Sequence, residues 1–376
     1  MTLSAPSMVN STYALPKKIP QLDRLRGMAI LSVVIVHSIH SGPFAAIARQ
    51  GWVGVDLFFV LSGFLITGIL WDTRDDNKYF SRFYGRRILR IWPAYLLLLA
   101  FVFCIIPFLK LVVGRRLLEI PSENVASWQY LLMIQNFLPQ KLASSSFLIA
   151  TWSLAVEEQF YLVWPLVIRY AARGFALPGL IICFLCAPVV RVVATHYGIS
   201  PVAIYMNPLT HGDGLLCGAA IAIWIRTTTL KRRTLMLSGI GLLLAGLLLF
   251  LPIHPTESMS HHWSPFVFTG IALISTGLLL VALVSEHTGH VLHRFVFMNR
   301  QLAFFGYISY SLYLYHIVVL RFAGSEKLIA KLDRWHHPDL TATLMLMFGI
   351  GLSILLAWTS RVTIEAAALS RKGLFG

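Results

Sequence analysis

Ten stretches of about twenty mostly apolar residues recur along this chain, centred near Val34, Leu61, Leu99, Glu158, Leu185, Ala219, Leu244, Ile274, Tyr313 and Gly351. A run of that length is what an α-helix needs to cross bilayer hydrocarbon at 1.5 Å per residue. Composition agrees: 57% of the residues are hydrophobic and only 12% charged, against roughly 25% charged in a soluble domain. The expected fold is therefore all-α, a polytopic membrane helix bundle of about ten transmembrane helices. No long linker, low-complexity tract or internal repeat divides it, so residues 1–376 are expected to form one membrane domain. The first twenty residues lack an apolar core and a small-residue cleavage site, so the helices themselves are expected to direct insertion.

The formal net charge of +15 raises the question of nucleic-acid binding, and the positions of the basic residues answer it. With a cytoplasmic N-terminal tail over residues 1–20, 21 Lys and Arg fall on the cytoplasmic side and 10 outside. That asymmetry is the positive-inside signature of membrane topology. The basic excess then faces cytoplasmic anions, the head groups of the lipid bilayer or a phosphorylated substrate, with no nucleic acid among the partners. The localisation implied is the inner, cytoplasmic membrane, with both termini cytoplasmic.

The apolar segment at residues 128–139 is too short to span easily. If it did span, every later loop would change sides and most of the remaining Lys and Arg would lie outside. It is expected to be re-entrant or interfacial, within an external loop over residues 110–147. Cys104, Cys183, Cys186 and Cys217 fall inside predicted helices and are expected to be inert packing residues. The Cys183 and Cys186 pair lacks neighbours that would stabilise a thiolate. His261 and His262 are adjacent, with no acid or thiol nearby, and make no metal site.

Polar residues inside the apolar runs carry the functional signal. Arg26 and His37 are eleven residues apart, which at 100° per residue returns them to one helix face, about 16.5 Å apart along the axis. That puts Arg26 at the cytoplasmic rim and His37 near mid-membrane. Arg26 alone also fits a side chain snorkelling to lipid phosphates, and His37 also fits a neutral imidazole bonded to a neighbouring helix; an ionisable group at that depth is a functional candidate. Glu157 and Glu158 sit at the centre of the fourth stretch, where each acid costs roughly 2.5–3.5 kcal/mol on insertion scales. Ser153, Glu157, Tyr161 and Trp164 form one stripe, while Glu158 shares its face with Thr151, Leu154 and Pro165. Glu157 is the better candidate for a polar cavity.

Further along, Asp56, Gly63 and Thr67 share a face of the second stretch, with Gly63 permitting close approach of a neighbouring helix or a slender ligand. Arg82, Arg86, Arg87 and Arg90 cluster at the cytoplasmic start of the third, where they serve topology and also suit phosphates. His211 and Asp213 open the sixth, and Ser309, Tyr313 and His316 align on the ninth. Both sets fit either interhelical hydrogen bonds or a substrate wall.

Taken together, "LDRLRGMAILSVVIVH", "GVDLFFVLSGFLIT", "RRILRIWPAY", "WSLAVEEQFYLVWP", "HGDGLLCG" and "ISYSLYLYH" resemble the acyltransferase-3 family of integral membrane O-acyltransferases over nearly the full length. The resemblance implies transfer of an acyl group, commonly acetyl from acetyl-coenzyme A, to a hydroxyl of a sugar or other acceptor. It also implies roles. Arg26 matches the family arginine that contacts the acyl donor, His37 the essential histidine, Glu157 the first acid of the Trp-Ser-Leu…Glu-Glu motif, and Ser62 and Gly63 the Ser-Gly-Phe element. Three departures stand out: Arg24 replaces a usual glycine, His211 stands where arginine is common, and Glu365 lacks the proline that often follows. Some longer relatives carry an esterase-like domain after the membrane part, and a chain ending at Gly376 is expected to work without one or through a partner.

The expected mechanism joins both lines. Arg26 and the cluster from Arg82 to Arg90, with Arg86, Arg87 and Arg90 foremost, would bind the phosphates of acyl-CoA, the donor substrate, while its arm runs along the first helix; the resemblance adds Ser62 and Gly63 to the donor site. His37, with an ordinary pKa of about 6.5, would accept the acceptor's proton, directly or after an acyl-imidazole, with Glu157 orienting it or stabilising its imidazolium if the helices bring the two together. Asp56, Glu158, Tyr161, His211, Asp213, Tyr313 and His316 would line the carbohydrate acceptor. No resident cofactor or metal is expected, and the sequence is silent on oligomeric state. A proton-coupled transporter is the rival class, since buried Glu and His also form proton relays, but the interrupted repeats typical of transporters are not seen. A small hydroxylated acceptor such as a macrolide stays open beside a surface glycan.

Overall fold

The computed structural model describes residues 13, 15–16, 19–39, 42–113, 124–144, 147–251, 265–285, 299–333 and 337–375. His261 and His262 lie outside them. Ten long helices hold the ten apolar centres: α1 (Pro20–Ser38), α2 (Val53–Asp72), α3 (Tyr79–Ala100), α4 (Thr151–Tyr170), α5 (Arg173–His196), α6 (Asp213–Thr227), α7 (Arg232–Phe250), α8 (Val267–Val284), α9 (Arg300–Ala323) and α10 (Pro338–Ser360). No β-strand occurs among the described residues. Seven of the ten, counting the turns that extend α2, α3 and α10, are long and apolar enough to cross a membrane. The chain is thus a multi-pass membrane protein. The other three are α1, α4 and α6: ionisable residues interrupt the first two, and α6 has only 15 residues.

The segment at 128–139 breaks into a short helix (Ser127–Leu131) and a 3-10 turn (Gln135–Phe137). Between them Met133 takes the left-handed backbone, with φ of 53°, which a side chain with a Cβ adopts only under local constraint. The constraint is polar: Gln135 donates to the Thr151 carbonyl at 3.0 Å, and Asn136 donates to the Met206 carbonyl at 3.1 Å. The preceding helix also reaches further than the loop boundary expected at residue 110. From α3 it runs through a π turn (Phe101–Ile105) and on to Val113.

Helices α2, α8 and α9 are mostly buried, and α5, α7 and α10 are mostly exposed. An apolar side chain exposed on such a helix faces a medium as apolar as itself, so the exposed Leu, Ile and Val of α5 are normal here. The same holds for the thiols. Cys104, Cys183 and Cys186 are exposed on helix surfaces and only Cys217 is buried, so three of the four do not pack in a core as expected.

Small residues decide which helices touch. A Cβ at Gly63 would collide with the Leu215 carbonyl of α6, and one at Gly218 of α6 with the Val60 carbonyl of α2. Gly27 of α1 and Gly306 of α9 form a similar reciprocal contact, against Leu302 and Asp23. Such seams let backbones approach without interposed side chains and gain close van der Waals contact where apolar burial gives little. They bring α1, α2, α6 and α9 together, and α4 packs on α2 beside them.

Candidate active site

Five helices wall one cavity of about 710 Å³, its open mouth included, and four of them contribute residues at helical spacing. From α2 come Val55, Phe58, Phe59 and Ser62; from α3 Arg87, Arg90 and Ile91; from α4 Ser153, Leu154, Glu157 and Tyr161; from α9 Ser309, Tyr310 and Tyr313; and from α1 Arg26. Glu157 is the hub. Its Oε1 accepts from Ser62 at 2.7 Å and its Oε2 from Tyr161 at 3.2 Å. The stripe continues to Trp164, whose indole donates to Thr67 at 2.8 Å and ties α4 to α2.

Three guanidiniums, Arg26, Arg87 and Arg90, face the same space as this single carboxylate. Arg87 lies 5.1 Å over the Tyr161 ring, a cation–π contact. Arg26 meets Asp23 at 3.4 Å, but Asp23 is more than half exposed, so the pair neutralises little. Three cations beside the one carboxylate that lines the cavity suit an anionic ligand there. Arg86 is exposed and is not among the cavity-lining residues.

At the far end of the α9 stripe, Tyr313 donates to the Ala150 carbonyl at 2.9 Å and accepts from Ser153 at 2.6 Å. His316, one turn beyond, is fully buried. Its Nε2 lies 3.3 Å from Nδ1 of His37. His37 occupies the last turn of α1 and is exposed. It therefore sits near the end of α1, which stops at Ser38. Its partner on the facing helix is His316, whereas both oxygens of Glu157 are taken by Ser62 and Tyr161. The hydrogen bonds that place Glu157 thus run to α2 and along α4, and that of His37 to α9.

Several residues expected to touch ligand are engaged elsewhere. Gly63 faces the α6 backbone, not the cavity. Asp56 and His211 are fully buried and joined at 3.0 Å through Nε2, with His211 Nδ1 against the Tyr205 carbonyl at 2.7 Å. Asp213 is held by Arg191 of α5 at 2.7 and 3.0 Å and accepts from Thr269 of α8 at 2.7 Å. These side chains bolt α2, α5, α6 and α8 together, the interhelical reading of the sequence. Glu158 also lies outside the cavity lining, with a buried Oε1 that lacks a hydrogen-bond partner among the described residues. Arg191 went unremarked in the sequence; the signal was a lone guanidinium within the apolar α5. Tyr310 was also missed. It lines the cavity while donating to the Ile91 carbonyl at 2.6 Å.

A family model described as an acyltransferase domain, of the acyltransferase-3 group, matches residues 19–362. The chain belongs to the acyltransferase-3 family. Among curated relatives of this family member, a putative peptidoglycan O-acetyltransferase, YrhL, of Bacillus subtilis is 31% identical over 344 residues, 85% of this chain and 51% of the relative. The peptidoglycan O-acetyltransferase OatA of Listeria monocytogenes is 27% identical over 83% of this chain and 51% of its own. The O-acetyltransferase OatA of Staphylococcus aureus is 28% identical over 82% of this chain and 52% of its own. The chain spans about half the length of these relatives. No solved structure is significantly similar to it.

Proposed function

We propose that this acyltransferase-3 member is a membrane O-acetyltransferase that moves an acetyl group from cytoplasmic acetyl-CoA to a hydroxyl of a carbohydrate, with cell-wall or surface glycan as the acceptor class. One observation carries the donor assignment: Arg26, Arg87 and Arg90 converge on one cavity. Coenzyme A is polyanionic, and each charge-assisted bond to phosphate is worth about 1.5–3 kcal/mol. The names of the relatives support the acetyl group and the glycan.

The topology proposed with this is ten spans with both termini on the cytoplasmic side of the inner membrane. Arg26, Arg87 and Arg90 then face the donor's compartment. The pantetheine arm follows α1 and the α9 stripe of Ser309 and Tyr313 toward His37. Because His37 is exposed near the opposite end of α1, the acceptor reaches it from the other side. His37 takes the hydroxyl proton as the acceptor oxygen bonds to the thioester carbonyl carbon. The carbon–sulfur bond breaks, coenzyme A leaves as thiolate, and the proton on His37 returns to that sulfur. Glu157 holds Ser62 and Tyr161 in fixed orientation beside the arginines, which keeps the donor pocket shaped.

Purified protein in liposomes, supplied with labelled acetyl-CoA, tests this. Donor turnover is expected to vanish in His37→Ala while the protein stays folded; unchanged turnover removes His37 from the mechanism. Mass spectrometry of surface glycans from cells with and without the gene identifies the acceptor, and identical acetylation would remove the glycan assignment.

A further inference from the structure

His316 has no role in the mechanism so far, yet it is a fully buried titratable side chain whose two ring nitrogens are both engaged. Its Nδ1 lies 3.0 Å from the Leu312 carbonyl and 2.8 Å from the Tyr313 carbonyl. Carbonyl oxygens only accept, so the proton of a neutral His316 sits on Nδ1 and its Nε2 presents a lone pair. That lone pair faces Nδ1 of His37 at 3.3 Å, and the same His37 nitrogen lies 2.8 Å from the Val33 carbonyl.

Two proton arrangements are available to the pair. If His316 donated from Nε2, it would be protonated on both nitrogens, a full charge in a site closed to water, and the His37 Nδ1 lone pair would point at the Val33 oxygen. If His37 donates from Nδ1, both rings are neutral and that proton meets two acceptors, the Val33 carbonyl and Nε2 of His316. Burial of charge and lone-pair repulsion both reject the first.

We propose that His316 is a positioning residue: it fixes His37 in the tautomer protonated at Nδ1, which makes Nε2 the basic nitrogen. When Nε2 takes the acceptor's proton, the Nδ1 proton stays between the two rings, and its bond to the His316 lone pair strengthens as His37 becomes an imidazolium. An imidazole thus does at this site what a carboxylate does for many catalytic histidines. The sequence hinted at the residue through the Ser309, Tyr313 and His316 alignment, and the structure supplies its partner. The catalytic part rests on the acyltransferase reading above; the tautomer does not.

The full-length protein in nanodiscs allows separate tests. In spectra of protein labelled with ¹⁵N-histidine, the His37 signals, assigned by their loss in His37→Gln, are expected to show a protonated Nδ1 and an unprotonated Nε2. The reverse pattern overturns the proposal. In steady-state turnover of acetyl-CoA, His316→Leu is expected to lower kcat by about a hundredfold, the lower range for losing general-base catalysis, with donor KM and melting temperature held. His316→Gln, whose side-chain oxygen restores an acceptor toward His37, is expected to recover about a tenth of wild-type kcat or more. Unchanged kcat in His316→Leu, or no recovery in His316→Gln, overturns it. If the wild-type protein turns over no donor, the acyltransferase reading fails and the spectrum alone decides the tautomer.

Discussion

Arg86 and Arg87 are neighbours in sequence and unequal in space, and their contrast is the sharpest residue-level test of the donor site. Arg87 faces the cavity and packs over Tyr161, while Arg86 is exposed. Arg87→Ala is expected to raise the donor KM roughly ten- to hundredfold, the equivalent of about 1.5–3 kcal/mol for one lost charge-assisted contact; Arg86→Ala is expected to change it less than about twofold, as for an exposed charge. Equal effects would show that the cavity is not what selects the donor. Sequence reasoning grouped the two because a run of arginines looks alike, and only the azimuth of α3 separates them. Glu157 was easier to place from sequence. Its i, i+4 alignment with Ser153 and Tyr161 is a property of any helix, whereas its bond to Ser62 needed α2 to be set beside α4.

At the level of elements, two kinds of contact hold the helices in register. The glycine seam between α2 and α6 forbids a Cβ at Gly63 or Gly218. Gly63→Ala is therefore expected to lower thermal stability, by about 1–3 kcal/mol as for other overpacked sites, and to leave donor KM unchanged. A raised KM at unchanged stability would return Gly63 to the ligand wall, where the family resemblance put it. The second contact is the buried pair of Arg191 and Asp213, which links α5 to α6 with Thr269 of α8. Removing one partner leaves the other charge stranded: Arg191→Leu is expected to cost about 3–5 kcal/mol, read as a fall in melting temperature. Replacing both with apolar residues of similar volume is expected to recover part of that loss. Periodicity gave no warning of this pair, because its members are 22 residues apart and meet only after the helices pack.

For the whole molecule, the proposed topology puts the excess of basic residues and the three converging arginines on one side. The proposal that both termini are cytoplasmic predicts that an alkaline phosphatase reporter fused after Gly376 stays inactive, and an active reporter would invert the topology and with it the donor's side of approach. The sequence by itself marked the apolar segments that the structure builds as long helices, because a helix in hydrocarbon must be apolar and internally hydrogen-bonded whatever its neighbours do. It also marked Arg26, His37 and Glu157 as costly intrusions that demand an explanation. Only the tertiary structure decided which intrusions meet. Asp56, His211 and Asp213 turned inward to bolt helices together, Arg87 and Arg90 joined Arg26 in one recess, and His37 found His316 across 279 positions of chain. The physical reason is that helical periodicity fixes the face a side chain shares with its own turn-mates, while the angle at which that face meets another helix is set by small residues and buried polar pairs distant in sequence.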